Sequence, residues 1–193
     1  MAVTSTSVTL VIAKLGTYRY LGHRDIARAI ARVLRRSRLP LRFTAGFHPI
    51  PKMILPEPLP VGVESEAERW VIFFEEPVDP TRLREALDPL MPEGLPIVDI
   101  LDGDQREALD SPIRLLLESE YGPRVEEAVR TVPNSDCGIG QLFLQRTAEG
   151  VVVDLRPVSG RRPSVGKWLK QVVSLLGPGP VAIRRVLRLR SSQ

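Results

Sequence analysis

The sequence predicts an α+β fold made of two consecutive βαββαβ halves. Three observations support this prediction: short runs rich in β-branched residues, amphipathic stretches with a period near 3.6, and the recurrence of their order after residue 112. Hydrophobic residues make up 43% and charged residues 26% of the 193 residues, as in ordinary globular proteins. We therefore expect the chain to bury a real core, in one large domain or two small ones.

The first half begins with a predicted strand and a predicted helix. Apolar and β-branched residues from 8 to 12 predict a strand that continues to Tyr20. A helix follows over residues 23–38, and Pro40 ends it. Its apolar stripe has a period near 3.6 and consists of Ile26, Ile30, Val33 and Leu34.

The remainder of the first half supplies three strands and a second helix. Residues 41–75 predict two extended pieces separated by a Pro-rich loop at 49–60, and residues 69–74 are the clearer strand. Asp79 caps the next helix, which has Pro80 in its first turn. Residues 95–101 close the half as a strand.

The same order of elements recurs in the second half, without any repeat at the level of residues. The predicted elements are a strand at 113–120, a helix at 124–132, strands at 141–147 and 151–155 around a turn at Glu149-Gly150, a helix at 164–176 and a strand at 181–189.

A βαββαβ order is that of the split-βαβ, ferredoxin-like motif, an antiparallel four-stranded sheet with two helices on one face. We therefore expect two tandem ferredoxin-like units at residues 1–101 and 112–193, joined by an acidic linker at 102–111. Such a motif carries no function by itself. It leaves one sheet face in each half open to the other half, to a partner or to RNA.

The composition excludes several kinds of chemistry. One cysteine, Cys137, and two histidines, His23 and His48, cannot form a Cys/His zinc site or hold an iron-sulfur cluster. No loop has the ligand spacing of a dedicated Mg²⁺ site, and no nucleophile elbow or GxGxxG fingerprint is present. We expect no metal and no cofactor.

The location of the protein is predicted from its N-terminal residues. The opening apolar run, residues 8–13, is far shorter than the roughly 20 residues of a membrane span. Residues 1–7 contain no basic side chain that could form the start of a signal peptide. We expect a cytoplasmic protein without a membrane partner, and a single cysteine agrees with a reducing compartment.

Charge is sorted along the chain. Residues 14–52 hold ten Lys/Arg and one acidic residue, a net charge of +9, and residues 155–193 hold nine Lys/Arg and no acidic residue, also +9. Between them, residues 53–110 have a net charge of −11 and residues 111–154 one of −3. If folding brings the two basic blocks together, they form a surface that attracts phosphate backbones.

The first basic block places a ridge of guanidinium groups on the predicted helix. Its members fall at i, i+4, i+7 and i+8 and are Arg28, Arg32, Arg35 and Arg36. Like charges at this spacing repel one another, so a compensating contact is expected. That contact is either the acidic middle block packing nearby or bound phosphate.

The second basic block combines a helix start with a strand. Arg161 and Arg162 precede the helix that carries Lys167, where free backbone N–H groups and the helix dipole favour an anion. The spacing is not that of a Walker loop, because Trp168 stands where Ser or Thr would hold Mg²⁺. The last strand adds Arg184, Arg188 and Arg190, and we expect some of these six cations to share a positive surface with the arginine ridge.

Three residues are suspects for acid/base catalysis. His23 lies in the first turn of the predicted helix, whose dipole favours a neutral imidazole that could exchange a proton near pH 7. The alternative is a plain local hydrogen bond to Asp25 or the backbone. Tyr20 and Lys52 are the other two suspects, and His48 lies on a loop that its prolines make rigid.

Three segments, in order, resemble a bacterial domain of unknown function. They are Tyr20-Leu21-Gly22-His23-Arg24-Asp25, then Leu39-Pro40-Leu41-Arg42-Phe43 with Gly46-Phe47-His48-Pro49-Ile50-Pro51-Lys52, and Leu59-Pro60-Val61-Gly62-Val63-Glu64-Ser65-Glu66. That domain occurs mainly as the C-terminal part of radical-SAM-linked proteins and sometimes alone. The resemblance covers residues 8–101 well and the remainder loosely.

The resemblance implies an association with radical-SAM chemistry, commonly in genomic company with RNA-processing enzymes, and no established reaction. This chain departs from the family pattern at two places. It has Gly22 where the family usually has a serine that caps the helix. It has His48-Pro49-Ile50-Pro51 where the family usually has Asn-Pro-His-Pro. With one cysteine, the chain cannot supply the three-cysteine cluster motif of a radical enzyme.

Three functions fit these observations. The first is a non-catalytic module that binds or presents RNA, accessory to a separate radical-SAM modification enzyme. The second is a metal-independent endoribonuclease, since paired ferredoxin-like halves with a basic cleft look like the CRISPR-repeat-processing enzymes; this is an analogy of fold only. The third is a protein-interaction module whose arginine ridge meets an acidic partner. We expect a binding protein rather than an enzyme.

Overall fold

The computed structural model describes residues 6–106, 112–133, 135–158, 163–177 and 185–189. The chain divides into two compact units. The first comprises Met1–Pro58 and Ala67–Glu107, and the second comprises Leu59–Glu66 and Ala108–Gln193. Among the described residues, no helix is long and apolar enough to cross a membrane.

In the part of the chain that the structure describes, eight strands and four α-helices follow one another in the predicted order. In the N-terminal half they are β1 (Ser7–Lys14), α1 (His23–Arg36), β2 (Met53–Ile54), β3 (Val63–Phe73), α2 (Pro80–Leu87) and β4 (Ile97–Asp102). In the C-terminal half they are β5 (Ile113–Glu118), α3 (Gly122–Thr131), β6 (Ile139–Arg146), β7 (Gly150–Pro157), α4 (Val165–Leu176) and β8 (Arg185–Arg188). The order of the elements is confirmed, and several bounds differ.

The first strand does not continue to Tyr20. It ends at Lys14, and a 3-10 turn, Gly16–Tyr20, leads into α1. Gly16 has a φ of +60°, in the left-handed region that favours glycine, so the extended chain breaks there. The Leu15 amide donates to the Gly94 carbonyl oxygen at 2.9 Å and fixes the start of the turn.

Helix α1 begins as predicted and ends two residues early. Its N-cap is Gly22, which provides no side-chain hydrogen bond, while the Asp79 carboxylate caps α2 as predicted. At the C-terminus, the Ser37 hydroxyl donates to the Leu34 carbonyl oxygen at 2.6 Å. Arg38 follows with a φ of +57°, a left-handed conformation that stops the helix before Pro40 does.

Strand β3 is longer than the predicted strand at 69–74. It starts at Val63 and includes three glutamates that weaken the strand pattern, namely Glu64, Glu66 and Glu68. Its residues are shared between the units: Val63 to Glu66 belong to the second unit and the rest to the first. The last strand, predicted at 181–189, is described only from Arg185 to Arg188, because residues 181–184 lie outside the described residues.

The described strands form one sheet of eight strands rather than two separate sheets of four. The order is β4-β1-β3-β8-β5-β7-β6, and β2 pairs with β3 away from this path. The pairs β1–β4, β2–β3, β5–β7, β5–β8 and β6–β7 are antiparallel, and β3–β8 is parallel. The prediction of two separate sheets is therefore wrong. The backbone of β8 hydrogen-bonds to the first residues of β3, and without this pairing β8 would be an open edge.

Each unit has its own hydrophobic core. In the first unit, the predicted stripe of α1 is buried against β1, β3 and α2, and Trp70 has no exposed surface. In the second unit, α3 and α4 pack on β5 and β7 around the fully buried Trp168. Burying one face of α1 leaves its opposite face in water, which positions the candidate site.

Candidate nucleic-acid interface

The exposed face of α1 is a row of arginines. Five exposed guanidinium groups recur at helical spacing, and we call them the arginine face: Arg24, Arg28, Arg32, Arg35 and Arg36. The four arginines predicted for this ridge therefore do share an exposed helix face. Arg24 extends it by one turn, and its spacing of four residues from Arg28 was the signal in the sequence.

Among the described residues, most arginines of the arginine face have no acidic partner. Arg28 pairs with Asp25 of its own helix at 3.1 Å, between side chains that are 70% and 57% exposed, so the pair is weak. Neither Arg32 nor Arg36 has an ion pair or hydrogen bond to a described residue. The acidic middle block pairs with other arginines, in Arg42–Glu75, Arg84–Asp88 and Arg106–Asp104.

A short hairpin loop, residues 44–50, lies beside the arginine face. The Thr44 amide donates to the Ile50 carbonyl oxygen at 2.9 Å, and the Ile50 amide donates to the Thr44 hydroxyl at 3.1 Å. A bridge between Phe43 and Pro51 closes the base of the loop. Gly46, near its tip, has a φ of +122°, a conformation that side chains rarely adopt.

Arg35 connects this hairpin loop to α1. Its Nη2 donates to the Pro49 carbonyl oxygen at 2.8 Å. The loop is therefore anchored one helical turn from Arg32 and directly beside Arg36. Arg35 thus has a structural role in addition to its charge.

The hairpin loop carries an aromatic ring that packs against nothing in the unit. The side chain of Phe47 is fully exposed, while Phe43 and Ile50 at its base are about half exposed. Large apolar side chains on a polar surface mark contact sites when they cluster. Gly46 and the nearby prolines indicate a loop at this position, but the candidate residues predicted from the sequence do not include Phe47.

His23 is the first residue of α1 and lies over a buried tryptophan. The ring centroids of His23 and Trp70 are 5.8 Å apart with an interplanar angle of 21°. Burial lowers the pKa of His23 below its ordinary value, and the positive charge of the buried Lys14 lowers it further. A neutral imidazole near pH 7 is thus favoured, and the main cause is burial rather than the helix dipole.

The three suspects for acid/base catalysis are distributed over the first unit. The Tyr20 hydroxyl accepts a hydrogen bond from Arg19 Nη2 at 2.9 Å, and Lys52 Nζ lies 5.1 Å from the ring centroid of Phe73. The loop that precedes Lys52 is anchored at Arg35, twelve residues beyond His23 and about 18 Å along the helix axis. No described contact joins Lys52 to His23.

The described part of the second basic block adds few exposed charges. Arg161, Arg162, Arg184 and Arg190 lie outside the described residues. Lys167 Nζ donates to the Asp136 carbonyl oxygen at 3.1 Å, and Arg188 is buried, with 5% exposure. A surface shared with the arginine face stays a prediction, and Arg188 does not contribute an exposed charge to it.

The described residues contain no cluster of three His, Cys, Asp or Glu that could hold a metal ion. Cys137 is buried, and burial raises the pKa of its thiol, which disfavours the thiolate that binds metals. Its sulfur lies 3.3 Å from Gln171 Oε1 in a hydrogen bond. His48 is exposed on the hairpin loop.

Residues 8–135 match the family described as an uncharacterized protein conserved in bacteria, DUF2344. The chain belongs to the DUF2344 family. The matched residues include the whole arginine face, the hairpin loop and His23. No curated protein matches the chain. The DUF2344 match confirms the resemblance to a bacterial domain of unknown function.

The lowered pKa of His23 predicts a dependence of stability on pH. Below the pKa of an unfolded histidine, about 6.5, the unfolded chain binds the proton more readily than the folded chain. The free energy of unfolding should therefore fall as the pH drops from above 6.5 towards the pKa of His23 in the folded protein. Urea denaturation of the wild type and of His23→Phe, which keeps a ring over Trp70 and cannot titrate, measures this loss. Equal losses in both proteins would contradict it.

Proposed function

We propose that the first unit binds RNA through the arginine face of α1 and does not cleave it. The observation that carries this proposal is the row of exposed guanidinium groups, of which only Arg28 has an acidic partner, Asp25, among the described residues. Repulsion between like charges four residues apart destabilises the free helix. Phosphates relieve this repulsion, and their oxygens accept the hydrogen bonds that the guanidinium N–H groups donate.

A nucleic-acid backbone suits this face better than a single anion does. The guanidinium groups extend from Arg24 to Arg36, twelve residues or about 18 Å of helix, which matches a row of phosphates rather than one. Contacts of this kind set position and affinity, and they read no base sequence.

The geometry supports binding over cleavage. Catalysis by His23 would need a second acid or base within reach of the same phosphate. The Tyr20 hydroxyl is hydrogen-bonded to Arg19, and Lys52 lies over Phe73, on the face of β3 opposite to that of Trp70, on which His23 stacks. His23 has a structural role instead, stacked on Trp70 in the core of the unit.

We also infer that both halves are variants of the split-βαβ motif. In each half the fourth strand lies beside the first, the first beside the third, and the third beside the second. Two halves with the same relative order are expected of a duplicated motif, here joined through β3 and β8.

The resemblance to radical-SAM-linked proteins supports a further part of the proposal, that the chain presents RNA to a separate radical-SAM enzyme. A radical-SAM enzyme that this chain serves should then modify RNA at a lower KM when the chain is present, because bound substrate is already oriented. Arg32→Ala with Arg36→Ala should remove this effect. Unchanged kinetics with and without the chain would exclude the accessory role and leave RNA binding intact.

RNA binding by the arginine face predicts a steep salt dependence. Each neutralised phosphate of a single strand contributes a slope of about −0.7 in log Kobs against log salt. Replacing Arg32 and Arg36 by Ala should flatten the slope by about 0.7 to 1 per lost contact, with little dependence on RNA sequence. Titration of labelled RNA between about 50 and 200 mM salt measures this slope.

The matched control is Arg130→Ala in α3. It removes one charge, as Arg32→Ala alone does, but from an arginine that Glu126 already pairs at 2.9 Å, so the slope should hardly change. Equal effects of the two changes would indicate a response to net charge alone. Absence of salt-dependent binding in the wild type would contradict RNA binding and favour an acidic protein partner.

The bound RNA should remain intact, with or without EDTA. Removing a general acid/base typically costs 10² to 10⁴-fold in rate, so His23→Ala would abolish cleavage if His23 were catalytic. We expect instead that His23→Ala lowers the melting temperature, because it removes the ring over Trp70, and leaves RNA binding unchanged. Gel analysis of end-labelled RNA provides the measurement. Cleavage that persists in EDTA and disappears in His23→Ala would show a metal-independent ribonuclease.

A further inference from the structure

The exposed ring of Phe47 needs a physical explanation. Burial of apolar surface stabilises a protein by roughly 25 cal/mol per Å², and an exposed phenylalanine ring does not contribute this free energy. The side chain is nevertheless fully exposed, and the loop that carries it is held by both its own hydrogen bonds and Arg35. A ring held in this way loses little freedom when a partner covers it.

The surroundings of Phe47 are cationic. Arg35 anchors the loop, Arg32 and Arg36 lie next to Arg35 on the helix, and Lys52 follows the loop and is exposed. No acidic residue occurs from residue 26 to residue 56, so no carboxylate of this segment offsets them. A free aromatic face beside a row of cations is the arrangement by which proteins hold single-stranded nucleic acid.

We propose that Phe47 is a stacking platform for an unpaired base, so that the first unit takes single-stranded RNA. This inference rests on the proposed RNA binding by the arginine face. The arginine face holds successive phosphates, and the base between them turns onto the ring of Phe47. In a duplex the bases are stacked on each other and cannot reach the ring, so duplex RNA gains only the phosphate contacts.

The stacking is independent of base identity, because every base has a π-face. The site is therefore expected to select single strands over duplexes and to show little preference among sequences. Gly46 allows the conformation that presents the ring at the tip of the loop.

The test compares three probes on the full chain: an oligouridine of about twelve nucleotides, a blunt RNA duplex and inorganic polyphosphate, which has phosphates and no bases. Phe47→Leu keeps an apolar side chain and removes the π-face. We expect it to weaken oligouridine binding roughly 5- to 150-fold, the range for loss of one stacked base. Binding of duplex and polyphosphate should be unchanged, as should the salt slope.

Phe47→Trp supplies a positive test. It should bind oligouridine like the wild type, and its indole fluorescence should be quenched on binding. The native tryptophans, Trp70 and Trp168, are fully buried, so the new signal is separable from theirs. Phe143→Leu is the control, since Phe143 is a half-exposed phenylalanine that lies in the second unit.

The outcomes separate the two proposals. If the wild type binds oligouridine and polyphosphate with a steep salt slope, and Phe47→Leu binds each probe as tightly as the wild type does, stacking is overturned and RNA binding stands. If the wild type binds neither probe, both proposals fail. If Phe47→Ala weakens oligouridine binding and Phe47→Leu does not, the ring serves an apolar contact and stacking is overturned. If Phe47→Leu loses binding to anionic lipid vesicles and keeps binding to oligouridine, the ring serves a membrane surface, and stacking is again overturned.

Discussion

The burial of one face of α1 is the constraint on which the candidate site depends. Ile26, Ile30 and Leu34 are each nearly inaccessible to water in the core of the first unit. Their burial fixes the rotation of the helix about its own axis. The arginines, at the positions between them, then have to face water together. A helix turned by half a turn would place guanidinium groups in a hydrocarbon core, at a cost of several kcal/mol for each uncompensated ion.

The Arg35–Pro49 hydrogen bond transmits this constraint to the hairpin loop. A guanidinium that donates to a backbone carbonyl forms one of the stronger hydrogen bonds in proteins, because the donor is charged. The same helix therefore sets the position of the arginine face and that of the hairpin loop. The arginine face and the exposed ring of Phe47 therefore belong to one surface of the first unit.

The sequence predicted what depends on local periodicity and missed what depends on distant partners. The apolar stripe and the arginine spacing of α1 follow from its period, and the Asp79 cap from a local motif. The single sheet did not, because pairing of β3 with β8 joins segments over 120 residues apart. The exposure of Phe47 could not be deduced either, since phenylalanine is among the residue types most often buried.

The division of β3 between the units affects how the chain can be separated into parts. Leu59 and Val63 lie between the two segments of the first unit in the sequence, yet they belong to the same core cluster as Leu115 and Trp168. A fragment that begins after β4 would lack these two side chains and the strand that pairs with β8. Recombinant expression of the second unit alone therefore calls for a permuted gene in which Leu59–Glu66 is joined to the C-terminal fragment, rather than for a simple truncation.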